Sequence, residues 1–241
     1  MNYSFLPNGD TGLTVSFKNE ISREVNSHVT SFVSEVEKAR IRGVIELVPA
    51  FSSVTIIYDP CSISYMILKL KLKRILKNLS QGNTFVPVLY KIPVCYDGEF
   101  APDMANVSKH TGLTKEEIVS IHTSCDYLIY MLGFLPGFAY LGGMDERLVT
   151  PRLESPRLEI KKGSVGIGGE QTGIYPVASP GGWQIIGKTP VDVYDRNKEN
   201  PILYRAGDYI RFVPVSADRY YEIEEMIKNN SYSVESEEVV K

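Results

Sequence analysis

The sequence predicts an α+β protein of two domains: a ferredoxin-like split βαβ domain over residues 1–88 and a β-barrel domain over residues 89–241. Two observations predict this division. Before residue 90, the apolar residues change between the period of a strand and the spacing of a helix. Residues 90–215 hold 15 of the 19 glycines and 10 of the 14 prolines, which is typical of short strands joined by many turns. With 241 residues, the chain is long enough for each part to bury a core.

Hydrophobic periodicity predicts the first three strands and the first helix. Leu13, Val15 and Phe17 alternate with polar residues, which indicates a strand. A helix is predicted next, because apolar residues recur at helical spacing. These residues are Ile21, Val25, Val29, Phe32 and Val36. Residues 44–48 and 53–58 are rich in β-branched side chains and are predicted as two further strands.

A second helix and a fourth strand complete the predicted first domain. Residues 62–79 form the helix, whose last turns carry lysines and an arginine that suit the negative end of the helix dipole. Residues 86–94 are predicted as an edge strand, because Pro87 and Pro93 cannot donate hydrogen bonds. The order β-α-β-β-α-β is the ferredoxin-like arrangement. We interpret the basic helix as a solvated face, since no aromatic RNA-binding strand accompanies it.

Two short helices open the predicted second domain. Asp103 is placed to cap the first helix, which ends near His110 with Gly112 after it. Thr114 and Glu117 have the spacing of a capping box at the start of the second helix.

Strands and loops are predicted to follow, because the glycine content suits the tight corners of a closed or nearly closed barrel. The uncharged stretch Tyr127–Met144 is close to the length of a membrane span. Its Pro136 and four glycines predict a buried strand and turn instead. A last helix is predicted from Ser216 to about Asn230, and residues 235–241 are predicted as a frayed tail.

Charge and composition exclude several classes of function. The net charge is −3, so no basic field exists to bind nucleic acid. The three cysteines form no CxxC pair, which argues against a disulfide framework and favours a reducing, cytoplasmic location. Three histidines without a Cys/His cluster argue against a metal site. The first residues lack the basic and apolar regions of a signal peptide, so no membrane association is predicted.

The string Gly182–Thr189 matches the P-loop pattern G-x-x-x-x-G-K-[ST]. A P-loop lies between a buried strand and a helix whose N-terminus holds the phosphates. Here a Pro-Gly-Gly turn precedes the string, and Pro190 with a strand-like alternation follows it. We therefore interpret Trp183–Ile186 as a strand, and no nucleotide-binding residue is assigned.

Two arginines are the first candidates for an anion site. A five-residue duplication places Arg152 and Arg157 on proline-stiffened segments, where their planar donors can clamp a carboxylate or phosphate. The alternative is that both pair with Glu154, Glu159 or nearby acids in a surface loop.

The glycine-rich segment 163–176 supplies neutral candidates. Gln171, Thr172 and Tyr175 offer hydrogen bonds, and the glycines allow a ligand to approach the backbone closely. Barrel corners alone would also explain these glycines. Among the histidines, His122 is the candidate general acid or base, and the alternative is a hydrogen-bonded structural histidine.

Several strings taken together resemble one family. They are Val94–Asp103, His110–Leu113, Ile121–Ser124, Tyr130–Gly143, Ser164–Gly169, Gln171–Pro176 and Ser179–Pro190. These strings resemble the 5-oxoprolinase B-subunit family (PxpB), whose members are also called Kip inhibitor (KipI) and, under an older label, allophanate hydrolase subunit 1. The resemblance covers nearly the whole chain and is most specific over residues 94–214.

The resemblance implies that the second domain is a cyclophilin-like β-barrel. It also implies that the chain works beside 5-oxoprolinase subunits C and A to open the lactam of 5-oxoproline to glutamate, driven by ATP with Mg. Because the sequence offers no credible nucleotide site and no dense catalytic cluster, the isolated chain is expected to be inactive and to hold no cofactor. The alternative function implied by the family is a protein inhibitor of a sporulation-type histidine kinase, which acts by binding without catalysis.

Chemistry assigns roles to the candidate residues in an enzyme of this kind. Cleavage of a lactam needs groups for anionic oxygens, neutral donors for a developing oxyanion and a proton shuttle. The assigned residues are Arg152 and Arg157 for the anions, Gln171, Thr172 and Tyr175 as neutral donors, and His122 as the shuttle.

Overall fold

The chain divides into two units after Val86, as a computed structural model shows. The structure describes residues 3–17, 23–79 and 86–239. The first unit is Met1–Val86 and the second is Pro87–Lys241. The sequence-based boundary, after residue 88, lies two residues further on than this division.

Within its described residues, the first unit contains one antiparallel sheet and two helices. In chain order these elements are β1 (Ser4–Asn8), β2 (Gly12–Ser16), α1 (Arg23–Ala39), β3 (Val44–Pro49), β4 (Ser53–Tyr58) and α2 (Tyr65–Asn78). The strand order in the sheet is β1-β2-β4-β3. Apolar side chains of both helices and of one face of the sheet share a core.

The predicted periodicities explain this core. The helical stripe of α1 is buried at Val25, Val29, Phe32 and Val36, whereas Ile21 lies outside the described residues. Buried residues alternate along β2 and β4, and they recur every fourth residue along α2. The apolar ones are Leu13, Val15, Val54, Ile56, Tyr58, Leu68, Leu72 and Leu76. Each element therefore turns its predicted apolar face inward.

The observed order differs from the predicted ferredoxin-like order in two places. The sequence analysis omitted β1, which forms a hairpin with β2. The predicted fourth strand, residues 86–94, is β5 (Val88–Cys95) and belongs to the second unit. The second difference has a physical cause: alternation predicts an extended segment, but pairing with distant segments decides which sheet that segment joins.

The second unit is built on a sheet that nearly closes into a barrel. Its further elements are α3 (Met104–Thr111), α4 (Lys115–Thr123), β6 (Tyr127–Leu132), β7 (Ala139–Gly142), β8 (Arg157–Ile160), β9 (Ser164–Gly168), β10 (Gln171–Ile174), β11 (Ser179–Gly181), β12 (Gln184–Lys188), β13 (Tyr209–Val215), α5 (Ala217–Lys228) and β14 (Ser236–Glu238). The sheet order is β10-β9-β12-β5-β13-β6-β7, and β10 lies beside β7. β8 and β11 form a separate pair. This architecture confirms the predicted α+β class with a barrel-like second part.

β5 lies inside this sheet and not at the predicted edge. It runs parallel to β13 on one side, while β14 and β12 pair with its two ends on the other side. Lys91 donates its N–H to Glu235 at 2.9 Å on the β14 side. Pro93, two residues later, falls in the gap between β14 and β12, where no neighbour needs its missing N–H. Because β14 adds a strand to β5, the predicted frayed tail is corrected as well.

The helix ends follow the predicted capping residues with one exception. Thr114 and Glu117 form the capping box of α4, with N–H···O distances of 3.2 and 2.8 Å. Gly112 ends α3 with φ of 75°, and Ser216 caps α5. Asp103 stands at the N-cap position of α3 but makes no capping hydrogen bond. Its carboxylate is used elsewhere, as described below.

The uncharged stretch Tyr127–Met144 forms the hairpin of β6 and β7. The predicted strand and turn are confirmed. No helix in residues 3–17, 23–79 and 86–239 has the length and apolarity that crossing a bilayer requires.

Candidate functional site

His122, at the end of α4, is the most buried of the predicted site residues. Its Nε2 lies 2.8 Å from Oγ1 of Thr172, and its Nδ1 lies 2.8 Å from the hydroxyl of Tyr96. Thr172 donates its hydroxyl proton to the carbonyl of Gly166 at 3.0 Å. Thr172 Oγ1 must therefore accept from Nε2–H, and Nδ1 accepts from Tyr96. His122 is thus the neutral Nε2–H tautomer, bridging two sides of the barrel core.

The surroundings of His122 keep it neutral. Its ring stacks on Phe212 with 4.5 Å between centroids. Complete burial lowers the pKa of His122 from the ordinary 6.5 to about 3. Both ring nitrogens are already used within the core, so the general acid/base role has no support in these contacts and stays a prediction. Thr172 is likewise engaged by the core.

Arg157, which is partly exposed, forms an ion pair with the buried carboxylate of Asp103. Arg157 Nη2 donates to Oδ1 of Asp103 at 2.6 Å, and the N–H of Ile185 donates to the other carboxylate oxygen at 2.6 Å. Asp103 is 3% exposed, and Arg157 Nη1 also reaches the carbonyl of Trp183 at 3.5 Å. Arg157 therefore joins α3 to β8 and β12. Arg157 therefore pairs with an acid, as the alternative interpretation of the sequence expected. The acid is Asp103 at the start of α3 and not Glu154 or Glu159 of the duplicated segment.

Arg152 lines a cavity of about 180 Å³ beside the indole of Trp183, which we call the Trp183 pocket. The lining comes from the β6–β7 turn, the duplicated segment and the residues around β11. It consists of Gly133, Phe134, Leu135, Phe138, Tyr140, Arg152, Tyr175, Pro180, Gly181, Gly182 and Trp183. Arg152 is the one charged side chain in this lining.

The indole of Trp183 fills space that two glycines leave empty. A Cβ on Gly168 would lie 2.3 Å from Nε1 of the indole, and a Cβ on Gly173 would lie 3.3 Å from its ring. Phe138 and Tyr175 meet the indole edge-on, with centroids 5.6 and 5.9 Å away. The glycine-rich segment thus makes room for this ring, which is neither of the two explanations drawn from the sequence.

Arg152 and Tyr175 bring the polar groups to the pocket. The Arg152 guanidinium lies over the Trp183 ring, 6.0 Å from its centroid. Arg152 is exposed, and no carboxylate in the described part of the chain pairs with it. Burial raises the pKa of Tyr175, opposed by the N–H of Trp183 and by the charges of Arg152 and Arg157. The hydroxyl therefore keeps its proton and remains a donor.

The structure thus gathers only part of the predicted site. Arg152 and Tyr175 line the Trp183 pocket, whereas Arg157 pairs with Asp103 and does not line it. Gln171 begins β10 opposite Gly168 and does not line the Trp183 pocket.

The string Gly182–Thr189 forms no P-loop. Gln184–Lys188 is strand β12, and no helix follows it before α5. The Nζ atom of Lys188 lies 5.9 Å from the centroid of the Tyr220 ring. The predicted strand is confirmed, although it begins at Gln184 and not at Trp183.

A larger, more open cavity of about 520 Å³ lies beside α4. None of the predicted site residues lines it, and its Lys115 already pairs with Asp97. Among the residues that the structure describes, no group of three or more His, Cys, Asp or Glu side chains is arranged to hold a metal ion.

Sequence reasoning missed the aromatic walls of the pocket. Trp183 was interpreted only as a strand residue, and Phe134 and Phe138 were not singled out. A signal was present, because the only tryptophan of the chain follows a Pro-Gly-Gly turn. Aromatic residues beside glycines are typical of rings that pack against exposed backbone.

Comparisons with known proteins cover most of the chain. A family model described as "Carboxyltransferase domain, subdomain C and D" matches residues 3–204. The 5-oxoprolinase B-subunit of Bacillus subtilis (strain 168) is 41% identical over 227 residues, which are 90% of this chain and 95% of that protein. The 5-oxoprolinase B-subunit of Escherichia coli O157:H7 is 43% identical over 175 residues, which are 71% of this chain and 78% of that protein.

A solved structure has the same fold. The crystal structure of the protein TTHA0988 superposes with a TM-score of 0.76 at 35% identity. The match covers 86% of this chain but 40% of that protein, so the chain spans less than half of its length.

Replacing Gly168 by alanine tests the steric origin of the pocket. The new Cβ would overlap the indole of Trp183, so we expect Gly168→Ala to lower the free energy of unfolding by about 1–3 kcal/mol, as overpacking typically does. Gly182→Ala is the matched control, because its Cβ would meet only ordinary contacts of 3.5 Å or more. Denaturant titrations of both variants measure the difference, and equal stabilities would contradict the packing described.

The buried neutral His122 predicts a pH-dependent stability. Below pH 6.5 the unfolded chain binds a proton at His122, whereas the folded chain does so only near pH 3. Stability is therefore lost as the pH falls through this window, by about 2 kcal/mol at pH 5, at about 1.36 kcal/mol per pH unit. Unfolding measurements from pH 7 to 5 should show this slope in the wild type and in the exposed-site control His110→Gln. His122→Gln should lack it, and an unchanged slope there would refute the assignment.

Proposed function

The chain belongs to the 5-oxoprolinase B-subunit family, and on this premise we propose that it is one component of an ATP-dependent complex that hydrolyses the lactam of 5-oxoproline to glutamate. Similarity to such B-subunits over nearly its whole length supports this proposal. The 5-oxoprolinase subunits C and A are the proposed partners. The role proposed for this chain is to hold the substrate in the Trp183 pocket.

The composition of the pocket carries the proposal of a binding role. Hydrolysis of an amide needs a group that exchanges a proton near neutral pH. The charged residue of the pocket is Arg152, and Tyr175 has a raised pKa. Neither an arginine nor such a tyrosine exchanges protons near neutral pH. We therefore assign the proton-transfer groups to the partner subunits.

The one string of this chain that matches a nucleotide-binding motif does not form the phosphate-binding site of a P-loop. In Gly182–Thr189 a strand stands where a P-loop needs the N-terminus of a helix to bind phosphates. We therefore assign ATP and its Mg to the partner subunits, while Arg152 and Tyr175 supply a cation and a hydroxyl donor for the oxygens of 5-oxoproline.

Phe134 marks the side on which a partner subunit docks. This side chain is 91% exposed and belongs to the lining of the Trp183 pocket. Aromatic side chains are the typical anchors of protein interfaces. Because the pocket opens to solvent and needs catalytic groups from elsewhere, a partner that covers Phe134 would also complete the site.

Reconstitution tests the proposed function. We expect the isolated chain to show neither 5-oxoproline-dependent ATP hydrolysis nor glutamate release, because the lining of the Trp183 pocket contains no group that exchanges a proton near neutral pH. Mixing it with subunits C and A should produce ATP-dependent glutamate release. Sustained ATP hydrolysis by the chain alone, or a fully assembled complex without glutamate release, would overturn the proposal.

A substitution at the rim tests the docking side. We expect Phe134→Ser to weaken association with the partner subunits about tenfold or more, as loss of an interface anchor does. Leu158→Ser is the matched control, because Leu158 is 93% exposed but does not line the pocket. Association is measured by surface-immobilised binding. An equal loss of affinity for the partner subunits in both variants, or no loss in either variant, would contradict docking over the pocket.

The alternative function, inhibition of a sporulation-type histidine kinase, stays a prediction. It requires binding alone, so kinase autophosphorylation with and without the chain is the direct assay.

A further inference from the structure

We propose that a second cavity of this chain binds a phosphate group, either free or carried on a small organic molecule. The cavity has a volume of about 220 Å³ and is lined, among others, by Lys161, Ser164 and Lys188. We call it the Lys188 pocket. It shares no lining residue with the Trp183 pocket, so the inference does not rest on the proposed function.

Strand pairing and a tight turn bring the three polar residues together. Lys188 and Ser164 are directly opposite each other in the antiparallel pair of β12 and β9. Side chains at such positions extend from the same face of the sheet, with Cβ atoms about 4.5–5.5 Å apart. The turn before β9 adds Lys161, because the N–H of Ser164 donates to the carbonyl of Lys161 at 3.2 Å. Two ammonium groups and one hydroxyl therefore line one cavity.

The hydroxyl of Ser164 indicates that the cavity has a ligand. Ser164 is 5% exposed, yet its hydroxyl makes no hydrogen bond to any residue that the structure describes. Buried hydroxyl groups are normally hydrogen-bonded, because burial without a partner is unfavourable. Since Ser164 lines the Lys188 pocket, an acceptor oxygen bound there would supply the missing partner.

The two lysines set the charge of that ligand. Within the described ranges, neither Lys161 nor Lys188 pairs with a carboxylate, whereas Lys162 between them in the chain pairs with Asp192 at 2.6 Å. A phosphate ester carries about −1.5 to −2 charges at pH 7. It therefore matches two ammonium groups, whereas a single carboxylate would match only one of them.

Two glutamates also line the Lys188 pocket and oppose an anion. Glu99 and Glu159 are both exposed, as is Lys161. Lys188 is half-buried and Ser164 is buried, so the donors lie deeper than the glutamates. Charges in contact with water are screened more strongly than buried ones. The glutamates should therefore weaken phosphate binding without preventing it.

The remaining lining limits the size of the ligand. The volume of about 220 Å³ is below the ~300–1,000 Å³ of sites for drug-sized molecules, so a phosphate or a short phosphate ester suits it. Phe100, Ile160 and Ile185 supply apolar surface for the carbon atoms of such an ester. Lys188 acts here from a strand and through its ammonium group, without the backbone donors of a P-loop.

Isothermal titration calorimetry of the full-length chain at constant ionic strength tests the ligand class. We expect saturable binding of one inorganic phosphate per chain and about tenfold weaker binding of acetate, which carries one charge. Tighter binding of glycerol phosphate than of inorganic phosphate would identify an ester as the ligand, and equal affinities would identify phosphate alone. No binding of either phosphate, or equal affinities for phosphate and acetate, would overturn the proposal.

Variants of the lining locate the bound phosphate. Lys188→Gln should weaken phosphate binding about tenfold or more, because one charge-assisted contact is lost. Lys162→Gln is the matched control and should leave the affinity unchanged, because Lys162 does not line the pocket. Glu159→Gln should strengthen binding, since it removes an opposing charge.

Ser164→Ala separates a binding role from a structural one. The hydroxyl has no partner in the protein itself, so we expect an unchanged denaturation midpoint together with a loss of phosphate affinity of about tenfold. An unchanged affinity in both Ser164→Ala and Lys188→Gln would overturn the proposal. A loss of phosphate binding in Arg152→Gln instead would place the phosphate in the Trp183 pocket and would overturn it as well.

Discussion

The constraint on which the pocket depends is the space left beside the Trp183 indole. Gly168 and Gly173 bring the backbone of the β9–β10 hairpin so close to the ring that a side chain on Gly168 would overlap it. With one side of the indole set by backbone, Phe138 and Tyr175 pack against its edges. Arg152 lies over the same ring, and Trp183 is therefore 5% exposed. The sheet therefore sets the position of the indole, and the β6–β7 turn and the segment of Arg152 complete the pocket.

The duplicated pentapeptide shows how equal sequences acquire different roles. Arg152 and Arg157 occupy equivalent positions in the two copies, yet Arg157 is neutralised by Asp103 and Arg152 faces solvent over an aromatic ring. The difference comes from what the fold places opposite each residue. The second copy is fixed by the ion pair with the buried carboxylate of Asp103, which also accepts the N–H of Ile185.

Local chemistry predicted much of the fold. Helix caps depend only on residues close in sequence, so the sequence predicted those at Thr114 and Ser216. The apolar stripe of α1 was predicted for the same reason. The sheet membership of β5, the partner of Asp103 and the burial of His122 depend on segments far away in the chain. His122 lies in the last turn of α4, where many histidines are exposed, and only the barrel brings Tyr96 and Thr172 to its two nitrogens. For the site, sequence motifs found Arg152 and Tyr175 but not the tryptophan between them.

The central claim is that this chain recognises the substrate and that its partners perform the chemistry. A crystal structure of the assembled complex with 5-oxoproline tests it most directly. The account predicts the ligand in the Trp183 pocket, with its carboxylate within hydrogen-bond distance of the Arg152 guanidinium. A ligand bound wholly within the partner subunits, with the Trp183 pocket empty or filled by a partner side chain, would contradict it.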